Sequence, residues 1–132
     1  MIGLDTNVLV RFLTQDNAAQ AAIANALIQG LTPAQPGFVS AVVLAEITWV
    51  LSRAYKAPRE DVARAVEGLL RAAELRVENA SAAYRALAAF RASTAGEFAD
   101  ALIAQTAALA GAKESVTFDR AAANAFGMRL LA

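Results

Sequence analysis

The chain has no cysteine and no histidine among its 132 residues. The first absence removes disulfides, thiolate zinc sites and cysteine nucleophiles. The second removes the usual general base, serine–histidine triads and imidazole ligands. What remains is oxygen chemistry. Neither sign of charge is in excess, because twelve basic and twelve acidic residues cancel. A broad basic surface that grips nucleic acid regardless of sequence is therefore not indicated, and any contact with a polyanion is local. A long apolar run is also missing: the stretch 41–51 contains Glu46 and is too short to span a bilayer. The opening residues are interrupted by Asp5 and Arg11 and are not expected to act as a leader. A cytoplasmic protein with no membrane contact is the expectation.

The hydrophobic share is 58%, and much of it is alanine, which favours helix and close helix packing without large side chains. A chain of this length buries roughly two-thirds of its unfolded surface as one domain, and no linker, repeat or low-complexity tract divides residues 1–132.

Short apolar strands are expected at residues 1–4, 38–39, 75–77, 115–118 and 128–131. Helices are expected at 8–13, 18–28, 41–55, from Pro58 onward, 81–93, 98–110 and 120–125. Ser40 is placed to cap the helix that follows it, and Gly30, Gly96, Gly111 and Gly127 end helical patterns. In the second helix Ile23 and Leu27 are spaced as one face. Trp49 and Phe38 read as core, and Leu87, Phe90 and Ile103 as inward. The alternation of strand and helix predicts an α/β fold, a mostly parallel central sheet with helices on both faces. In such sheets, sites form beyond the carboxyl ends of strands.

Four acids, Asp5, Glu46, Asp100 and Asp119, lie far apart in sequence but each sits among apolar residues where an element starts or ends. Taken singly, each has a plainer explanation. Asp5 in Asp-Thr-Asn is a turn or cap, as is Asn7. Glu46 is a solvated flank or a partner of Arg53. Asp100 favours a helix N-terminus, and Asp119 is the N-cap of the next helix. Together they offer one short acidic side chain from each of four elements. Two such charges about 5 Å apart repel by roughly 3 kcal/mol at an effective dielectric of 20. A hydrated magnesium or manganese ion would offset that repulsion, and oxygen-only ligation suits these hard ions better than zinc. The remaining acids, Asp16, Glu60, Asp61, Glu67, Glu74, Glu78 and Glu114, read as solvated faces or caps.

The segments MIGLDTNVLVRFLT (1–14), AEITWVL (45–51), EFADALIA (97–104) and VTFDR (116–120) together resemble a PIN-domain protein, and within that group the VapC toxins of toxin–antitoxin modules. The likeness spans essentially the whole chain, and implies a three-layer α/β/α domain. It also implies a magnesium- or manganese-dependent ribonuclease. The acidic quartet falls on Asp5, Glu46, Asp100 and Asp119, with Asp5 and Asp100 as metal ligands and Glu46 and Asp119 completing the pocket directly or through water. Family members often carry Asp where this chain has Glu97. Thr117 stands at a position usually held by a small hydroxyl residue, able to position water or a ligand, or simply to pack in its strand. RNA as substrate, a homodimer and a cognate antitoxin partner follow from the same resemblance, with early apolar helices supplying the antitoxin's groove. Water would attack the phosphodiester phosphorus in line, with cations stabilising the developing charge. Arg11, Arg53, Lys56, Arg59 and Arg120 are candidates for contacts with RNA phosphates.

Two other functions compete. A phosphohydrolase using an aspartyl nucleophile commonly has a second Asp two residues after the first, where this chain has Asn7. A binding domain that keeps the fold without cleavage is the other, although all four acids are retained.

Overall fold

The computed structural model describes all 132 residues. The chain begins with strand β1 (Ile2–Gly3) and helices α1 (Thr6–Thr14) and α2 (Ala18–Gln29). Strand β2 (Gly37–Val39) leads into α3 (Ala41–Arg53) and α4 (Arg59–Arg71), and β3 (Leu75–Val77) into α5 (Ala80–Arg91) and α6 (Phe98–Leu109). Strand β4 (Val116–Thr117), helix α7 (Arg120–Phe126) and strand β5 (Arg129–Leu130) complete it. The expected elements are therefore all present in the expected order, and the α/β/α reading of the fold holds. β1, β2 and β3 pair in parallel in that order, and β4 pairs in parallel with β5 as a separate hydrogen-bonded set.

Helix starts follow the caps. Ser40 Oγ accepts the Val43 N–H at 3.1 Å, and Glu78, just beyond β3, accepts the Ala41 N–H at 2.9 Å. Two of the otherwise unpaired donors of α3 are thus satisfied, which fixes the helix against the end of the sheet. Replacing Ser40 with Ala is expected to cost about 1 kcal/mol in urea unfolding; an unchanged midpoint would show that Glu78 suffices alone.

Packing runs through alanine as much as through large side chains. Ala82, Ala83 and Ala86 of α5 and Ala101 of α6 are fully buried, as are Leu9, Val39, Leu44, Ile47 and Val66. Small residues let the two helix backbones approach closely, which is how this composition builds a dense core. Gly37 in β2 serves the same purpose, since a Cβ there would stand 2.7 Å from Leu4 Cδ1 and 2.9 Å from Leu31 Cδ1.

Several inward assignments are corrected. Leu87 and Phe90 are buried as expected, but Ile103 is 59% exposed and Trp49 is 52% exposed. Phe38 is half-buried. On α2 the buried face is Ala21, Ala24 and Ile28, leaving Ile23 72% exposed and Leu27 at the surface. In each helix the apolar residues nearly encircle the axis, so their spacing does not fix which side faces the core. No helix is long and apolar enough to cross a membrane.

Candidate active site

Asp5 and Asp119 stand just beyond the carboxyl ends of β1 and β4, as the strand pattern predicts, and each also caps the next helix. Asp5 Oδ1 accepts the Thr6 N–H at 2.7 Å. Asp119 Oδ1 accepts the N–H groups of Ala121 and Ala122 at 2.9 and 3.2 Å. Asn7 lies inside α1, so the cap belongs to Asp5 alone. The Asp119 N–H in turn donates to Thr117 Oγ1 at 2.9 Å. Thr117 therefore holds the backbone of an acid in place, a role beyond strand packing.

Glu46 projects from the exposed side of α3, where the Thr6 hydroxyl donates to its Oε1 at 2.8 Å. Thr6 thus ties together the two chain segments that carry Asp5 and Glu46, which share one open cleft of about 460 Å³. Nothing in the sequence marks Thr6 for this contact except its place beside Asp5 at the start of a helix.

Asp100 lies in the first turn of α6 and is half-buried. Its Oδ2 accepts the Glu97 N–H at 3.4 Å. Burial pushes its carboxyl above the usual carboxylate range, and the negative charges of Asp119 and Glu97 add to the rise against that backbone hydrogen bond. Asp100 and Asp119 therefore act on one another electrostatically, although they come from different elements.

The structure thus makes two groups, Asp5 with Glu46 and Asp100 with Asp119. It does not bring any three carboxylates close enough to hold one ion in common. The donors themselves suit a hard cation. Each of the four commits one oxygen to a hydrogen bond and leaves the other without a protein donor.

The basic candidates divide. Arg53 does not pair with Glu46; its Nε and Nη2 both donate to Glu97 Oε1, at 3.0 and 2.7 Å, and its guanidinium lies 5.6 Å from the Trp49 ring centre. Glu97 is thereby bound to a cation at the N-terminus of α6. Arg59 is removed from the phosphate candidates. Its guanidinium stacks 3.9 Å from the Phe90 ring centre and donates to the carbonyls of Phe90, Ser93, Ala95 and Gly96, closing the loop before α6. Nothing near it in sequence announces these partners.

No curated protein matches the chain. A family model described as the PIN domain matches residues 2–126, nearly the full length over which strands, capping acids and cleft have been traced, and the chain belongs to the PIN-domain family.

Proposed function

We propose that the protein is a ribonuclease that hydrolyses RNA phosphodiester bonds with magnesium or manganese, and that it is the VapC-like toxin of a toxin–antitoxin pair. PIN domains are commonly nucleases and generally use divalent metal ions. The observation that carries the reading is that three acids, Asp5, Asp100 and Asp119, stand at helix starts and a fourth, Glu46, on the exposed side of α3, each with one oxygen held and one free. Asp5, Glu46, Asp100 and Asp119 are the residues that would hold metal, as two pairs and not as one four-carboxylate cradle. When bound, such an ion supplies charge neutralisation at the phosphate and a more acidic water.

The chain's own contribution is position. The caps fix Asp5 and Asp119, the Thr6 hydroxyl fixes Glu46, and Thr117 fixes the turn that presents Asp119. Side chains held this way lose little further freedom on binding substrate. The partner reading draws support from a second groove, of about 470 Å³ between α1 and α2, lined by Val8, Ile23, Ala24 and Leu27 with Asn7, Arg11 and Gln20. Exposed apolar residues of this size favour a protein partner, here the antitoxin, and a homodimer belongs to the same proposal.

Purified protein is expected to cleave single-stranded RNA in magnesium or manganese, to stop in chelator and to resume when the ion is restored. Cleavage that persists in chelator, or that is retained in Asp5→Asn, would refute the metal-dependent assignment.

A further inference from the structure

The cleft that Asp5 and Glu46 share also has an aromatic residue in its wall. Its lining includes Thr6, Val50, Arg11 and Tyr55. Its volume of about 460 Å³ falls within the roughly 300–1,000 Å³ typical of small-ligand sites. Tyr55 stands on the turn after α3, where Lys56 adopts a left-handed φ of 52° and redirects the chain. Tyr55 as a residue is 37% exposed, and it lines the cleft.

The phenol is fastened. Its Oη donates to Asp16 Oδ2 at 2.6 Å and accepts from Arg11 Nη1 at 3.2 Å. Arg11 Nη1 also meets Asp16 Oδ1 at 3.1 Å, Arg11 Nε donates to Gln20 at 2.7 Å, and the Thr14 hydroxyl donates to Asp16 at 2.9 Å. Hydrogen bonds from Tyr55 and Thr14 hold the Asp16 carboxyl below the usual carboxylate range, with the Arg11 charge adding to the effect, so this anchor is ionised at neutral pH. An aromatic ring on the surface gains little from so many restraints unless its position matters to something that binds.

The charges decide what that is. Asp16 balances Arg11, so Arg11 offers no net positive charge to a phosphate in the cleft. What the cleft offers is a fixed ring, and a ring is what an unstacked base needs. We infer that Tyr55 is a substrate-contacting residue, the platform on which the cleft stacks one base of single-stranded RNA beside the cleaved phosphate, with Asp16 and Arg11 as its positioning residues. The inference rests on the ribonuclease reading above and adds to it where the strand lies.

The test measures binding of a fluorescein-labelled single-stranded RNA in calcium, with an abasic nucleotide walked through the oligomer, and cleavage of the same RNAs in magnesium. In the unmodified protein one abasic position is expected to weaken binding about 5- to 100-fold, the range that stacking of one base supplies. Tyr55→Leu should weaken binding of intact RNA by a similar factor and abolish the penalty at that position, while Tyr55→Phe retains most of it. Such non-additivity is the signature of direct contact between ring and base. If Tyr55→Leu folds poorly, Asp16→Ala, which keeps the ring but frees its hydroxyl, should reduce the same penalty.

An abasic penalty undiminished in Tyr55→Leu and Asp16→Ala overturns the inference, as does unaltered binding of intact RNA by Tyr55→Leu. Cleavage by the unmodified protein with no Tyr55 effect leaves the ribonuclease standing and removes the platform. Tyr55-dependent binding without cleavage does the reverse, and neither binding nor cleavage removes both.

Discussion

Asn in place of Asp100 is expected to lower RNA cleavage by at least about 10²-fold, the scale on which removal of one electrostatic group in an active site acts, and at the same time to stabilise the metal-free fold. Both effects come from one carboxyl. Burial raises it above the ordinary range, and Asp119 and Glu97 raise it further by like-charge repulsion. A carboxyl that binds its proton more tightly when folded is an unfavourable charge to carry at neutral pH. Its sign under linkage follows directly. Below the unfolded value, near 3.9, Asp100 is protonated in both states and contributes nothing. As pH rises from there through the folded value, ionisation progressively lowers stability, and above it the loss is constant. Asp100→Asn removes that loss while its amide oxygen can still accept the Glu97 N–H. Thermal unfolding in chelator should therefore show the variant melting higher than the unmodified chain at pH 7, with the gap closing as pH falls through the acid range. Adding magnesium should stabilise the unmodified chain, because a ligand that binds only the folded state raises its stability, and should do less for Asp100→Asn. A variant no more stable at pH 7 would mean that the Asp100 charge is already relieved without an ion. Retained cleavage would take Asp100 out of the site.

Much of this arrangement was legible because caps and strand ends leave local marks. Ser40, Asp119, Gly30, Gly111 and Gly127 are read from immediate neighbours and stand at the helix ends as read, whereas α5 ends at Arg91, well before Gly96. Asp5 and Asp119 could be placed at strand ends for the same reason. What was not legible depends on contacts distant in sequence. The segment that forms α3 is apolar around most of its circumference, so nothing in it fixes the phase of the buried face. The structure buries Leu44, Ile47, Thr48 and Leu51 and leaves Trp49 outside. Thr48 can enter the core because its hydroxyl donates to the Ala45 carbonyl at 2.8 Å, which meets the need of a buried polar group within the helix. On α2 the small residues face inward because they permit close approach, and the evenly spaced Ile23 and Leu27 lie outside, which their spacing alone does not decide. Arg53 and Arg59 find their partners on the loop that precedes α6 and in the start of that helix. The pairing of Asp5 with Glu46 through Thr6 spans residues 6 and 46, and required the fold to be seen.

That loop and helix start also set the largest expected effect on stability. Phe98, the first residue of α6, is 1% exposed and heads the fully buried side chains by size. Its ring meets Phe90 edge to face, with centres 6.0 Å apart and planes at 82°. Arg59 lies over the other partner of that pair and ties the preceding carbonyls. Phe98→Ala removes a ring from a core that cannot close around the gap, since α5 and α6 already touch through alanines, and is expected to cost about 3–5 kcal/mol. Loss of the edge-to-face pair belongs to the same total. Domains of this kind have only about 5–15 kcal/mol of stability, so a substantial unfolded population is expected at 37 °C. Urea unfolding of Phe98→Ala, read beside Phe98→Leu, separates volume from aromaticity. Leu fills most of the space and should cost less than half as much, while keeping the first turn of α6, and so Asp100, in place. If Ala and Leu cost the same, the ring's geometry rather than its bulk holds the helix start. If Ala costs under about 1 kcal/mol, Phe98 is not the anchor of the turn that carries Asp100, and the stability of the acidic edge must come from the Arg59 carbonyl contacts instead.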